Sequence, residues 1–419
     1  MNRRFLAILL FLTSFVPLKA QLPLSSSAKI SLMTGEAWPG AVYALFGHTA
    51  LWVHDDTTGV DAMFNYGFFD PTQPHFIYHF IKGETDYILG VTSYEDFISE
   101  YRWKGVKVYE QELNLSKEEM QNLWQALYIN SLPQNRKYRY NYLYDNCATR
   151  PRDMVEKCVQ GKIIYPQDDK EQTFRDLIHE CVHPYPWLEF GIDLLVGSEA
   201  DRTATVREKM FLPMYLMNAF KDAKVVKNDT LSYPLVKNTL LILAGNTAVS
   251  QQTNERSLFT PFTAALVLLF ITMIVSVIQI ATLNNNNNTF SKFYDTLLFG
   301  IIGIGGIIVF FLLFFSEHPA TNPNWNFVWL NIFAFIAAIL FWIRSAKKIV
   351  YIYHFINFVV LTAFLVLWWL IPQQLPSATI LFSMSLWLRS GTNVLVSKKR
   401  QLKNKQYASF KYMKAGWGE

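Results

Sequence analysis

AVYALFGHTALWVHDDTTGVDAMFNYGFF, residues 41–69, decides how the first half of the chain folds. Apolar residues alternate with others through 41–55, the period of a half-buried strand. DDTTG at 55–59 is a turn signal, and VDAMFNYGFF then reads as the returning strand of a hairpin. His48 falls within the first strand, where a rigid backbone would hold its ring. Outward from the hairpin, GVKVYEQEL (105–113) alternates cleanly and predicts another strand. Ser116 with Glu119 makes a capping box that opens a helix to about Asn130. A second helix is expected after Cys147, through RDMVEKCVQ, stopping at Gly161, with Asn146 as its N-cap. Helices mixed with an antiparallel sheet predict an α+β domain over residues 21–255.

The rest of the chain is of another kind. Over its 419 residues 51% are hydrophobic and 17% are charged, below the roughly 25% charged of soluble proteins. Almost all acids precede residue 260. The net charge is +5, and its basic residues gather at the C-terminus, which excludes a nucleic-acid-binding groove. The start, MNRRFLAILLFLTSFVPLKAQ, has two arginines, a short apolar run and Ala20 at a cleavage-type position. It reads as a signal peptide over 1–20, with an uncleaved anchor as the alternative. No lipobox cysteine lies near Ala20, so the chain is not expected to be a lipoprotein itself.

Five apolar segments follow, at about 260–282, 295–315, 326–343, 350–371 and 375–396. Each approaches the ~20 residues that cross a bilayer as a helix. With the α+β domain outside, Lys292, Arg344, Lys347, Lys348 and the tail SKKRQLKNKQ all fall inside, and the two outer loops carry no lysine or arginine. The positive-inside rule is thus obeyed at every turn. The prediction is an all-α bundle of five transmembrane helices over 256–398 and a basic cytoplasmic tail over 399–419. The asparagine run 284–288 reads as a cytoplasmic spacer without chemistry.

Three groups of residues carry possible chemistry. HECVH at 179–183 matches the H-E-x-x-H zinc pattern, with Glu199 or Asp201 as a third ligand beside His179 and His183, and Glu180 as the base. Pro184 weighs against it, because the residue before a proline is pushed out of helical backbone; the plain alternative is a helix end with two polar histidines. The second group pairs Cys147 with His48. A thiol nucleophile wants an imidazole nearby and a helix N-terminus, and Cys147 follows the N-cap Asn146. Asp61 is the first choice to orient the imidazole and Asn65 the second. Of three cysteines in an exported domain at most two can pair, Cys158 and Cys181 bridged or both reduced, which leaves Cys147 over. A buried structural Cys147 is the bland alternative. The third group lies at the membrane helices: His318, Asn322, Asn324 and Asn326 in the second loop, and Arg389 with Asn393 in the fifth segment. An arginine inside a span is a functional suspect, although Arg389 lies close enough to the inner end to snorkel.

Together these stretches carry a resemblance. A histidine in a GHTAL strand upstream of an Asn-Cys-Ala-Thr helix start resembles the circularly permuted NlpC/P60 papain-like thiol fold, in which histidine precedes cysteine. Lecithin:retinol acyltransferase-like enzymes share that order. The whole layout is similar to the Lnb family of Bacteroidetes lipoprotein N-acyltransferases, through FGHTALWV, MFNYGFFD, FIKGETDYILG, YLYDNCATRPRD, PWLEFGIDLLVGSEADR and SEHPATNPNWNF. The resemblance implies a fatty acyl chain moved from a lipid ester, through a Cys147 thioester, to the α-amino group of a lipoprotein's diacylglyceryl-cysteine. His48 would be the base. The Cys147 N–H would hold the oxyanion, with Asn146 or Tyr142 as a further donor and His318 and Arg389 near the substrate. Diacylated lipoproteins, a phospholipid or lipoprotein acyl donor and membrane lipids are the implied partners, in the inner membrane. No cofactor and no metal are expected. Trp368, Trp369 and Trp387 suit acyl-chain grooves or ordinary lipid anchoring. A membrane-anchored cysteine peptidase or amidase acting on cell-wall peptides is the alternative, followed by the zinc peptidase and an inert scaffold.

Overall fold

A computed structural model describes residues 23–168, 170–228, 231–246, 258–282 and 289–415, with side chains as far as 406. The expected signal peptide and the asparagine run lie outside the described residues. The chain forms two compact units that interleave in sequence: 1–74, 85–169 and 205–252 in the first, and 75–84, 170–204 and 253–419 in the second. Composition alone suggests one boundary near residue 255. Instead, two short stretches of the polar half belong with the apolar helices.

The first unit is built on strands β1 (Lys29–Gly35), β2 (His48–Asp55), β3 (Val60–Phe68), β4 (Asp86–Thr92), β5 (Lys107–Leu113), β6 (Lys137–Arg139) and, after the three strands of a smaller sheet, β10 (Val236–Ala244). Their order is β10-β5-β1-β2-β3-β4-β6, and every neighbour pairs antiparallel. The smaller sheet has three strands, all between β6 and β10 in the chain: β7 (Lys162–Ile164), β8 (Lys224–Lys227) and β9 (Leu231–Pro234). Alternation sorts the main sheet's side chains to two faces. Leu32, Leu51, Val53, Phe64 and Tyr66 pack with Leu123, Trp124, Leu127 and Val155. Met33, Ala50 and Met63 meet Phe97, Ile98 and Tyr101 of the helix Tyr94–Lys104.

The predicted hairpin is present, with Ala50 opposite Asn65 and His54 opposite Asp61. The predicted strand 105–113 is β5, and the Ser116 capping box is reciprocal at the head of the helix Lys117–Ser131. One correction falls on 41–47. Val42–Phe46 is a 3-10 turn ended by Gly47 at φ 77°, so the strand begins only at His48. The alternation in VYALF comes from a turn with Leu45 inward and Val42 and Tyr43 exposed.

In the second unit, Pro261–Ala281, Thr289–Phe314 and Arg344–Val366 are long and apolar enough to cross a membrane. The other two expected segments differ. Asn331 precedes the helix Ile332–Leu340, whose nine residues extend only about 14 Å. The last helix, Ser377–Ala415, runs unbroken for 39 residues, about 58 Å, so the basic tail continues the apolar segment as far as Ala415. The bundle core includes Phe299, Ile302, Ala334, Ala337, Leu361 and Leu386.

Candidate active site

Cys147 sits one residue after Asn146, which builds the turn. Asn146 Oδ1 accepts the N–H of Ala148 at 2.8 Å and of Thr149 at 2.9 Å. These are orphan donors at the head of the helix Thr149–Cys158, whose N-cap is Ala148 and not the predicted Asn146, two residues earlier. Its Nδ2 donates to Tyr142 O at 2.8 Å and Phe211 O at 2.9 Å. Both amide hydrogens are therefore committed, and Asn146 has none left for an oxyanion. That corrects the expected role: Asn146 positions the turn that carries Cys147. Tyr142 presents its ring edge-on to Phe46 at 5.0 Å and Phe211 at 5.7 Å, as part of an aromatic wall.

The β2–β3 ladder ends at Ala50–Asn65. Beyond it the backbone amides of Thr49 and Cys147 lie near enough to the Cys147 sulfur to favour its thiolate. Gly67 lies alongside at φ 104°, a backbone region that glycine enters freely, and a Cβ there would lie 3.7 Å from that of Cys147. Thr49 follows His48, so the thiol and the imidazole flank one end of β2.

The ring of His48 is set by Asn65, not by Asp61. Asn65 Nδ2 donates to Met63 O at 3.2 Å and Thr92 Oγ1 at 3.1 Å, which turns Oδ1 towards His48 Nε2 at 3.3 Å. An oxygen there can only accept, so Nε2 carries the proton and Nδ1 keeps the basic lone pair. Asp61 is spent elsewhere: it accepts Trp52 Nε1 at 2.7 Å and the N–H of Tyr94 at 3.2 Å. The hairpin register puts it opposite His54, too far along the strand for His48.

Burial pushes the Cys147 thiol up to about 11, against the two amides that favour the thiolate. Burial also pulls His48 down to about 4, against the bond to Asn65; Lys104 lowers it further and Glu100 opposes. Both side chains are half-buried and keep some access to solvent. The resting pair is thus thiol and neutral imidazole, not thiolate and imidazolium.

In the second unit, Arg389 does not snorkel. It is fully buried, with Nε on Asp295 Oδ1 at 2.6 Å, Nη1 on Ser276 at 2.9 Å and Nη2 on Gln279 at 2.6 Å. Asn393 adds a bond to Asp295 at 2.8 Å. Every guanidinium nitrogen has a partner, and four of its five N–H groups are engaged within the bundle. His318 Nε2 donates to Phe80 O at 2.7 Å. Asn322, Asn324 and Asn326 donate to the main-chain oxygens of Leu313, Leu194 and Asp193.

The H-E-x-x-H geometry is not assembled. Glu180 bonds Lys170 and Gln172, and Asp201 bonds Arg175. Glu199 lies exposed. His183 is helical at φ −51° and ψ −34° despite Pro184, and it turns to Glu189 at 3.1 Å. His179, Glu189 and Asp193 do converge, their ligand atoms within 4.8 Å of one another. Arg175 Nη1, however, lies 2.6 Å from the same Asp193 Oδ1 that holds His179, and supplies the positive charge there. All three cysteines are free thiols.

The reading from sequence missed the Thr49 amide and Gly67. The signal for Gly67 was the hairpin register, which, extended two residues past the last pair Ala50–Asn65, would set residue 67 opposite residue 48.

Fold and site together define a membrane protein whose sheet-rich outer domain carries a thiol near Thr49 and, one residue before Thr49, an imidazole held by Asn65. A family model described as the Lnb N-terminal periplasmic domain matches residues 19–179, and one described as the Lnb transmembrane domain matches residues 252–401. The chain belongs to the Lnb family, as a multi-pass membrane protein with a periplasmic domain. No curated protein and no solved structure matches it.

Proposed function

We propose that the protein is a lipoprotein N-acyltransferase working through a Cys147 thioester, and that its periplasmic unit is a permuted NlpC/P60-type thiol domain. The observation that carries this reading is the sulfur of Cys147 near the Thr49 amide, next to His48, whose Nε2 is fixed by Asn65. Membership of the Lnb family gives the reaction class, and the exposed Val42 and Tyr43 just before His48 offer an apolar shelf for an acyl chain.

His48 Nδ1 takes the thiol proton as sulfur attacks the carbonyl carbon of a lipid ester. The N–H groups of Thr49 and Cys147 hold the oxyanion. Collapse breaks the acyl C–O bond, and the lysolipid alcohol leaves with the proton from His48. The thioester then meets the α-amine of a diacylglyceryl-cysteine. Nitrogen attacks, His48 takes its proton, the C–S bond breaks, and that proton returns to the sulfur. Because the resting pair is neutral, proton transfer accompanies attack rather than preceding it. The membrane helices sit in the inner membrane with the C-terminus in the cytoplasm, as the positive-inside pattern supports.

Trapping tests this directly. Incubation of the membrane-embedded protein with phospholipid and no lipoprotein is expected to add one fatty acyl mass to the Cys147 peptide, removable by hydroxylamine. Full lipoprotein triacylation by a Cys147→Ser, His48→Ala variant would sink the proposal.

A further inference from the structure

Residues 75–84 leave the sheet between β3 and β4 and belong to the helical unit. They form the helix Phe76–Lys82, FIYHFIK, in which no residue is buried. Ile77 is 72% exposed, Tyr78 52% and Phe80 48%, an unusual surface for so short a helix in water. Helical spacing puts Ile77, Phe80 and Ile81 on one face and His79 and Lys82 on another.

Its last carbonyls, which a helix end leaves without partners, are capped by the loop that follows Thr289–Phe314. His318 Nε2 donates to Phe80 O at 2.7 Å, Ser316 Oγ to Ile81 O at 3.1 Å, and the Glu317 N–H to Lys82 O at 2.8 Å. Gly83 permits the approach: a Cβ there would meet His318 N at 2.9 Å. Tyr78 lies edge-on to Phe311, ring centres 6.2 Å apart, in the last turn of that membrane-length helix. Phe314 and Phe315 beside it are 63% and 55% exposed. The short helix is thereby tied, through Tyr78 and its last carbonyls, to the exposed apolar end of a membrane-length helix.

We infer that the helix Phe76–Lys82 lies in the periplasmic face of the bilayer, its Ile77–Phe80–Ile81 face covered by lipid acyl chains. His318, drawn from sequence as a substrate residue, is the clamp that holds it there. Interfacial helices bind through apolar area on one face with charge on the other, as here. The membrane-bound segment joins β3, which carries Asn65 and Gly67, to β4. As a further step, resting on the acyltransferase reading, it is the element through which the enzyme draws its acyl donor from the membrane.

A fluorescent probe decides the placement. Ile77→Cys and Asp56→Cys are each made with Cys147, Cys158 and Cys181 changed to serine, labelled with an environment-sensitive dye and placed in phosphatidylethanolamine-containing vesicles. The dye at 77 is expected to emit to the blue and to be quenched by lipids with a spin label high on the acyl chain. The dye at 56, on an exposed turn, is expected to be quenched by iodide instead. Iodide quenching at both positions would overturn the placement. For the donor role, Ile77→Asp, Ile81→Asp in otherwise native protein should slow Cys147 acylation from vesicle phospholipid about tenfold and leave acylation from a soluble short-chain ester unchanged. An equal loss with both donors would refute it. Lack of any thioester in the unaltered protein would defeat the acyltransferase reading alone, because the dye depth is read without turnover.

Discussion

Thr49, whose amide lies near the Cys147 sulfur, faces Thr34 across β1 and β2, and both hydroxyls are buried with no hydrogen-bond partner among the described residues. Around Arg389 the opposite holds. Every guanidinium nitrogen has a partner there, and its carboxylate partner Asp295 is shared with Asn393. An unsatisfied buried polar group costs about 1–3 kcal/mol, so the first arrangement is tolerated and the second is stabilised. A group whose bonds are nearly all made has little left to offer a reactant. Arg389 draws suspicion because it is a charge in a span, and Cys147 draws it as a spare thiol.

The largest effect expected to test this contrast is on turnover. Cys147→Ala should lower acyl transfer by at least about 10³-fold with little change in stability. Arg389→Ala should do the reverse, leaving Asp295 uncompensated and costing about 3–5 kcal/mol. Activity per folded molecule, with unfolding followed in detergent, checks both; a folded but inactive Arg389→Ala would erase the contrast. A paired change, Arg389→Met with Asp295→Leu, should recover most of the lost stability, since apolar replacements of buried ion pairs are often neutral. Next in size is Asn65→Ala, which frees the His48 ring. A fall of about 10²-fold in kcat with a smaller change in KM is expected, whereas Asp61→Ala should leave kcat within about threefold.

The pH profile refines the same comparison. His48 near 4 and Cys147 near 11 leave the neutral pair intact between those values, so kcat/KM should be flat from about pH 5 to 10. An acid limb at 6 to 7 would instead point to a resting ion pair. The smallest effect concerns His179. Burial lowers its pKa, but the bond and charge of Asp193, with Glu189, outweigh burial and raise it. Its contribution to stability is then full below the ordinary histidine value of 6.5 and lost as pH rises through the raised value. Relative to His179→Gln, the protein should be more stable at pH 6 than at pH 8.5 by under about 1 kcal/mol. Thermal melts at the two pH values measure it.

Local rules made much of the sheet unit legible. The β2–β3 hairpin follows from period-two alternation around DDTTG, and the Ser116 box from residues three apart. Asn65 was within reach as well. Counting back from the turn sets Ala50 against Asn65, and it leaves Asp61 beside His54. Preferring a carboxylate over an amide, on chemistry alone, hid that register. Val42–Phe46 misled because a short 3-10 turn and a strand can share one pattern of alternation. What lay beyond reading was long-range. Asp295 meets Arg389 across 94 positions, and the snorkelling argument assumed a helix end near Lys398, where the helix instead runs on to Ala415. The interleaving of the two units leaves no local mark either. HFIYHFIKGE looks like any apolar stretch until Ser316, Glu317 and His318 are seen on its carbonyls.

Asn146 also sets an order of assembly. Its Nδ2 binds Tyr142 nearby and Phe211, 65 positions later. As the chain emerges, the turn that presents Cys147 is half-braced until the stretch around Phe211 has been made and docked. The turn that carries Cys147 is thus fully braced only in a nearly complete periplasmic unit, and a truncated or stalled chain holds it by Tyr142 alone on that side.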